Sequence, residues 1–232
     1  MIRLTKSARK IILSFSLIGI IYCSKAQTET PKKVAIFLYT GVEILDFAGP
    51  SEVFAASGFE TFTMSADGKD ILSQGFITVK PQYSLENAPT PDIVIFPGGG
   101  AGAPSKDPRI LDWIRHLNEQ NAILMSVCTG AQILAKAGLL NNKNVTTWHG
   151  FIKDLQVMLP TSVVLSNTRF VDNGNIITTA GVSAGIDGAL YLVSRLNGME
   201  AAKRTAYYME YEKWDPKAGR VEIKAEKSKS GY

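Results

Sequence analysis

In Ser126-Val127-Cys128-Thr129-Gly130-Ala131-Gln132 a cysteine stands where an apolar run gives way to a helical pattern. A nucleophile elbow uses that context, because a sharp strand-to-helix turn lifts the reactive atom to the rim of a sheet. A thiol placed there also meets unsatisfied helix N–H groups and the positive end of the helix dipole, and both favour thiolate. The pKa of a free cysteine is about 8.5, so a fall of roughly two units makes thiolate predominant at neutral pH. The other reading is a small buried core residue, the common fate of an unpaired cysteine.

Two further segments carry candidate chemistry. Phe96-Pro97-Gly98-Gly99-Gly100-Ala101-Gly102 closes a second apolar run. Consecutive glycines allow close approach of the backbone to a ligand and can turn N–H groups inward, as an oxyanion hole requires. Gly99 and Gly100 are the candidates for that role, unless the segment is a plain glycine-rich loop. The spacing fits neither a Walker A loop nor a dinucleotide fingerprint. In Gly41-Val42-Glu43-Ile44-Leu45-Asp46-Phe47-Ala48-Gly49-Pro50 an acid lies between two large apolar residues, a poor pattern for solvated surface. Near a thiol, Asp46 could donate or accept a proton if burial raises its pKa; alternatively it caps a helix opening at Gly49-Pro50.

Elements able to position these residues are readable from apolar periodicity. Apolar β-branched runs alternate with amphipathic stretches, which predicts βαβ units around a mostly parallel sheet. Strands are expected at Lys33–Tyr39, Glu60–Ser65, Ile77–Val79, Asp92–Phe96, Ala122–Val127 and Val145–Trp148. Helices are expected at Gly49–Ala56, Pro108–Gln120, Thr129–Ala137, Phe151–Leu159, Ser183–Leu196 and Met199–Met209, and a hairpin turns at Asp172-Asn173-Gly174. The crevice of such a sheet lies at the carboxyl ends of its strands, where the three candidate loops could converge. His149, at a strand end, is a candidate pocket residue or a satisfied structural histidine. His116 belongs to a polar helix surface, Asp187 is a helix cap or a pocket group, and Tyr207, Tyr208 and Tyr211 read as a packing stripe. From Lys213 the chain is polar and is expected to fray.

The 232-residue chain has a formal net charge of +4, yet Arg3, Lys6, Arg9, Lys10 and Lys25 lie in residues 1–26, which hold no acid. Without those five, 20 basic residues face 21 acidic ones, so the chemistry of the rest gives no reason to expect a nucleic-acid partner. The leader reads as a secretory signal peptide: a basic start, an apolar stretch from Ile11 to Tyr22, and small residues Ser24 and Ala26 before a cleavage point at Gln27. That stretch is shorter than the roughly 20 residues a bilayer-spanning helix needs, so no stable membrane anchor is expected after processing. Bulky Tyr22 ahead of Cys23 speaks against a lipoprotein. The expected layout is signal peptide 1–26, extension 27–32, α/β domain 33–212 and polar tail 213–232, in a periplasmic or secreted protein. Cys128 is then the lone thiol and has no disulfide partner. With two histidines and one thiol no metal cluster can be drawn, and no cofactor is expected.

Segments Gly41–Pro50, Pro97-Gly98-Gly99, Cys128–Ala131 with Ala137–Leu140, Val145-Thr146-Thr147 and Gly181–Asp187 together resemble the ThiJ/PfpI superfamily over residues 33–212. The pattern is most similar to isonitrile hydratases and to the amidase-like domains of AraC-type regulators. The resemblance implies a flavodoxin-like three-layer sandwich of the class I glutamine amidotransferase kind, usually dimeric. It further implies Cys128 as nucleophile, Asp46 as its acidic partner, and N–H groups near Gly99 and Thr129 around the pocket. Thr129 replaces the histidine that follows the cysteine in the peptidase-like branch, and no late His-x-Glu dyad exists for glutamine hydrolysis. Thr146-Thr147-Trp148-His149 inverts the Thr-Thr-His-Trp order common in the hydratase branch. Two function classes follow: an enzyme in which Cys128 attacks an electrophilic carbon of a small molecule, or a non-catalytic ligand-binding or redox-sensing protein. Too few residues follow Met209 for a helix-turn-helix module, so a complete regulator is not expected. The exported protein should begin at Gln27 and contain no disulfide, which intact mass spectrometry of the periplasmic fraction tests; retention of residues 1–26, or a lipidated Cys23, would contradict it.

Overall fold

Uninterrupted apolar runs can be buried on both faces only inside a sheet covered by helices. The computed structural model describes residues 32–223, and the leader, Cys23 and the last residues of the tail lie outside them. In chain order the elements are β1 (Lys33–Phe37), α1 (Ile44–Ala56), β2 (Glu60–Ser65), β3 (Ile71–Ser73), β4 (Ile77–Val79), β5 (Tyr83–Ser84), β6 (Ile93–Phe96), α2 (Pro108–Glu119) and β7 (Ile123–Val127). There follow α3 (Ala131–Lys136), β8 (Asn144–Thr146), α4 (Ile152–Met158), β9 (Val163–Leu165), β10 (Phe170–Asp172), β11 (Ile176–Thr179), α5 (Ala184–Asn197), α6 (Met199–Tyr208) and β12 (Arg220–Val221).

The central sheet has the order β12-β10-β11-β7-β6-β1-β2-β5, parallel except for the β10–β11 hairpin. It is the mostly parallel sheet flanked by helices that the alternation of patterns predicts, and the three-layer flavodoxin-like sandwich that the resemblance implies. From β1 the chain passes through α1 to β2 on one side, whereas β6 lies on the other. Loops leaving neighbouring strands in opposite directions open a crevice at that point, and the loops after β1 and β6 carry Asp46 and the glycines. Cys128 follows β7, next to β6. All four residues of β6 are buried, as are the last four of β1 and of β7.

Several elements depart from the sequence-based expectations. Helix α1 begins at Ile44 rather than Gly49, with Pro50 inside it. Pro50 cannot supply its amide to the turn before it, but starting early seats Asp46 in the first turn, where other partners receive its side chain. The tail does not fray at Lys213: β12 pairs with β10 through Val171–Arg220 and Asp172–Val221, and the Glu222 N–H donates to the Asp172 carbonyl at 2.8 Å. Polar side chains do not prevent pairing at a sheet edge, where one face stays in water. Tyr207 and Tyr208 are no packing stripe, since they are 85% and 69% exposed; α6 buries Ala202, Thr205 and Ala206 instead. Tyr211 turns its hydroxyl to Asp187 at 3.1 Å.

Close approach of α5 to the sheet depends on Gly188. A Cβ there would lie 2.4 Å from Thr179 Cγ2 and 3.1 Å from Met125 Cε. Gly188→Val should therefore destabilise the fold by about 1–3 kcal/mol, the usual cost of overpacking, in urea denaturation; an unchanged midpoint would show that α5 has room to move away.

Candidate functional site

Cys128 begins a 3-10 turn, Cys128–Gly130, that leads from β7 into α3. Its φ of +57° lies in the left-handed region, a costly conformation for a residue with a Cβ. The fold fixes it there from two sides. The Cys128 N–H donates to the Ala180 carbonyl at 3.1 Å, and the Thr147 hydroxyl donates to the Cys128 carbonyl at 2.7 Å. Gly130 must lack a side chain, because a Cβ would fall 2.0 Å from the Phe96 carbonyl oxygen.

Asp46 is fully buried. It is not a helix cap; Glu43 occupies that position. Its Oδ2 accepts the Gly98 N–H at 2.8 Å and its Oδ1 the Val182 N–H at 3.0 Å, and Cys128 lies beside the same carboxylate, close enough for each to shift the other's pKa. A Cβ on Gly98 would lie 2.7 Å from Asp46 Oδ2, from Cys128 Cβ and from the Thr129 nitrogen. The glycine is thus the gap through which acid and thiol meet. Val182 delivers its N–H from φ +53°, which a β-branched residue rarely adopts.

Electrostatics depart from a thiolate stabilised by a helix end. Burial, followed by the Asp46 charge, pushes the Cys128 thiol up to about 12, against smaller opposing contributions from the Thr129 and Val182 N–H groups. Burial likewise pushes Asp46 up to about 6, offset in part by the Gly98 N–H. The resting pair at neutral pH is a carboxylate beside a protonated thiol. The dipole expectation fails because removing the sulfur from water beside a negative charge costs more than a short turn returns.

The glycine loop also differs from expectation. The Gly99 N–H donates to Thr129 Oγ1 at 2.9 Å, and the Gly100 N–H to the Gly41 carbonyl at 2.8 Å. Both amides are spent inside the fold, so of the expected donors the Thr129 N–H, which favours the thiolate, is the one left beside the sulfur. His149 sits on a 3-10 turn, His149–Phe151, its ring 4.9 Å from that of Trp148. It lines a cleft of about 800 Å³ whose wall also includes Thr147, Trp148, Lys153, Arg169, Ala180 and Val182. Cys128 itself is not in that wall. Val182 links the two, facing the cleft while its N–H holds Asp46. Asp187 is neither cap nor pocket group: it is buried and pairs with Arg169, which faces the cleft. His116 is on the surface. Sequence reasoning missed Val182, because it acts through its backbone N–H. Among the described residues no group of three or more His, Cys, Asp or Glu could hold a metal ion.

A parallel sheet with a cysteine elbow and a buried acid at its crevice defines the class I glutamine amidotransferase-like, flavodoxin-like architecture. Residues 32–195 match the DJ-1/PfpI family, to which the chain belongs. It is 35% identical over 182 residues to the isonitrile hydratase of Pseudomonas putida, covering 77% of this chain and 78% of that one. It is also 26% identical over 194 residues to the HTH-type transcriptional regulator GbdR of Pseudomonas aeruginosa, covering 81% of this chain and 53% of the regulator, about half its length. Among solved structures, Drosophila melanogaster DJ-1beta superposes with a TM-score of 0.70 at 21% identity, covering 78% of this chain and 98% of that one. A ThiJ/PfpI family protein from Pseudomonas syringae gives 0.72 at 25% identity, covering 80% and 77%.

Asp46→Asn removes the charge that holds the thiol protonated while keeping the side chain's shape. Alkylation of Cys128 by iodoacetamide at pH 7 should then rise by about tenfold, the effect of one pKa unit. An unchanged or lower rate would show that the carboxylate does not set the thiol's ionisation.

Proposed function

We propose that this protein adds water to a small electrophilic substrate, an isonitrile or a close relative, with Cys128 as nucleophile and Asp46 as its proton partner. The observation that carries this reading is the buried acid–thiol pair itself, Asp46 and Cys128 meeting over Gly98. A carboxylate near pKa 6 is mostly ionised at neutral pH and, once protonated, gives its proton back readily, as a general acid–base must. Likeness to an isonitrile hydratase supports the choice of substrate.

In the proposed cycle Asp46 takes the thiol proton as Sγ bonds to the terminal isonitrile carbon, and protonated Asp46 then delivers that proton to the same carbon. The product is a thioimidate, R–N=CH–S–Cys128. Water adds across its C=N bond, its oxygen to carbon and a proton to nitrogen. The C–S bond breaks, the hydroxyl proton returns to sulfur by way of Asp46, and R–NH–CHO leaves. The sum is isonitrile plus water giving an N-substituted formamide, with no oxidant or cofactor consumed. The Thr129 N–H supports the sulfur as it gains negative charge. The cleft beside Val182 is where the R group would lie. We place this protein in the periplasm as a homodimer, on the strength of its leader and of the superfamily it resembles.

A second reading, a binding or redox-sensing protein, is favoured by one feature: burial and charge hold the thiol in its unreactive form. Turnover separates the two. With an alkyl isonitrile as probe, the wild type should form the N-alkylformamide, Cys128→Ser should form none, and Asp46→Ala should lower kcat by about two to four orders of magnitude. Absence of formamide from the wild type would overturn the hydratase reading in favour of the sensor.

A further inference from the structure

We propose that Tyr39, at the end of β1, is a positioning residue for the proton pair, acting on Asp46 through the Pro97–Gly98 peptide group. The Tyr39 hydroxyl lies against the carbonyl oxygens of Pro97, its nearer partner, and of Gly98 at 3.0 Å. Carbonyls only accept, so the hydroxyl is the donor. The Pro97 carbonyl and the Gly98 N–H belong to one planar group and point in opposite directions. On the far side of that plane the N–H donates to Asp46 Oδ2 at 2.8 Å. One peptide is thus held between a buried phenol and a buried carboxylate.

A hydrogen bond received at a carbonyl polarises its peptide and strengthens the one given by its N–H, by about 10–30% per bond. Tyr39 therefore favours the carboxylate form of Asp46 and fixes the angle at which Gly98 meets it. The phenol cannot trade protons itself, because burial and the nearby Asp46 and Cys128 hold it well above its usual range. The titratable groups facing Asp46 are Glu43 at the start of α1, Cys128 from the elbow after β7 and Tyr39 from β1, alongside the Gly98 and Val182 N–H groups. Of these, Tyr39 alone reaches Asp46 through a peptide.

The inference rests on Asp46 as proton partner of Cys128, and alkylation reads that pair without any turnover, so loss of the hydratase reading leaves the test intact. The rate of iodoacetamide alkylation is followed against pH in the full chain. In Tyr39→Phe, which keeps the ring packed on Phe37, the carboxylate is weakened. The lower limb of the profile should move up by about 0.3–0.5 pH unit and the neutral plateau should rise about two- to threefold, from the bond strengthening above. Fluorotyrosine at position 39, a stronger donor, should move both the other way. In an Asp46→Asn background the Tyr39→Phe change should alter the profile little. Equal changes in both backgrounds, or no change in either, would overturn the proposal and leave Tyr39 a packing residue.

Discussion

A carboxylate shut away from water must be satisfied by the protein around it, and the crevice is built to that requirement. Asp46 draws on the loops after β6 and β11 and on the elbow after β7, so one side chain ties together segments that are distant in sequence. Each of its oxygens accepts one amide hydrogen bond, and the thiol lies beside them. Each of these neighbours in turn requires an unusual backbone. Gly98 has no room for a Cβ, and both Val182 and Cys128 take left-handed φ. Strain of this kind costs on the order of 1–3 kcal/mol per residue and persists where the surroundings enforce it. Here Thr147, Ala180 and the close-packed Gly130 do so.

The electrostatic result follows from the same burial. Two neighbouring acids cannot both ionise cheaply in a dry site, so the pair loses one proton near pH 6 and holds the other far into the alkaline range. In the proposed cycle, reactivity at neutral pH would come from moving a proton between oxygen and sulfur, not from a standing thiolate. A thiol held protonated in this way is protected from casual alkylation.

Much of this was legible in the sequence. Buried strands announce themselves as unbroken apolar runs, so β1, β6 and β7 and the loops at their carboxyl ends could be placed, and with them Cys128, Asp46 and the glycines. An acid between Leu45 and Phe47 is a poor pattern for solvated surface, and its side chain proves fully buried. What local patterns could not carry was tertiary. Pro50 obscured the true start of α1, because propensity was outweighed by the partners waiting for Asp46. The tail looked unable to order, but β10 offered it a free edge. The amides of Gly99 and Gly100 could be counted in the sequence, while their use by Thr129 and Gly41 depends on the folded loop. The direction of the thiol's shift depended on which neighbour was nearer, a helix end or a carboxylate, and that is a matter of distance.

The central claim is that Asp46 and Cys128 share protons as one buried unit. Its most direct test is the titration of the Asp46 carboxyl carbon by ¹³C NMR in protein labelled at aspartate, assigned by comparison with Asp46→Asn. A midpoint near 6, well above the ordinary 3.8, is the predicted result, with a further change when Cys128 is alkylated. A midpoint near 3.8 that ignores the state of the thiol would contradict the account.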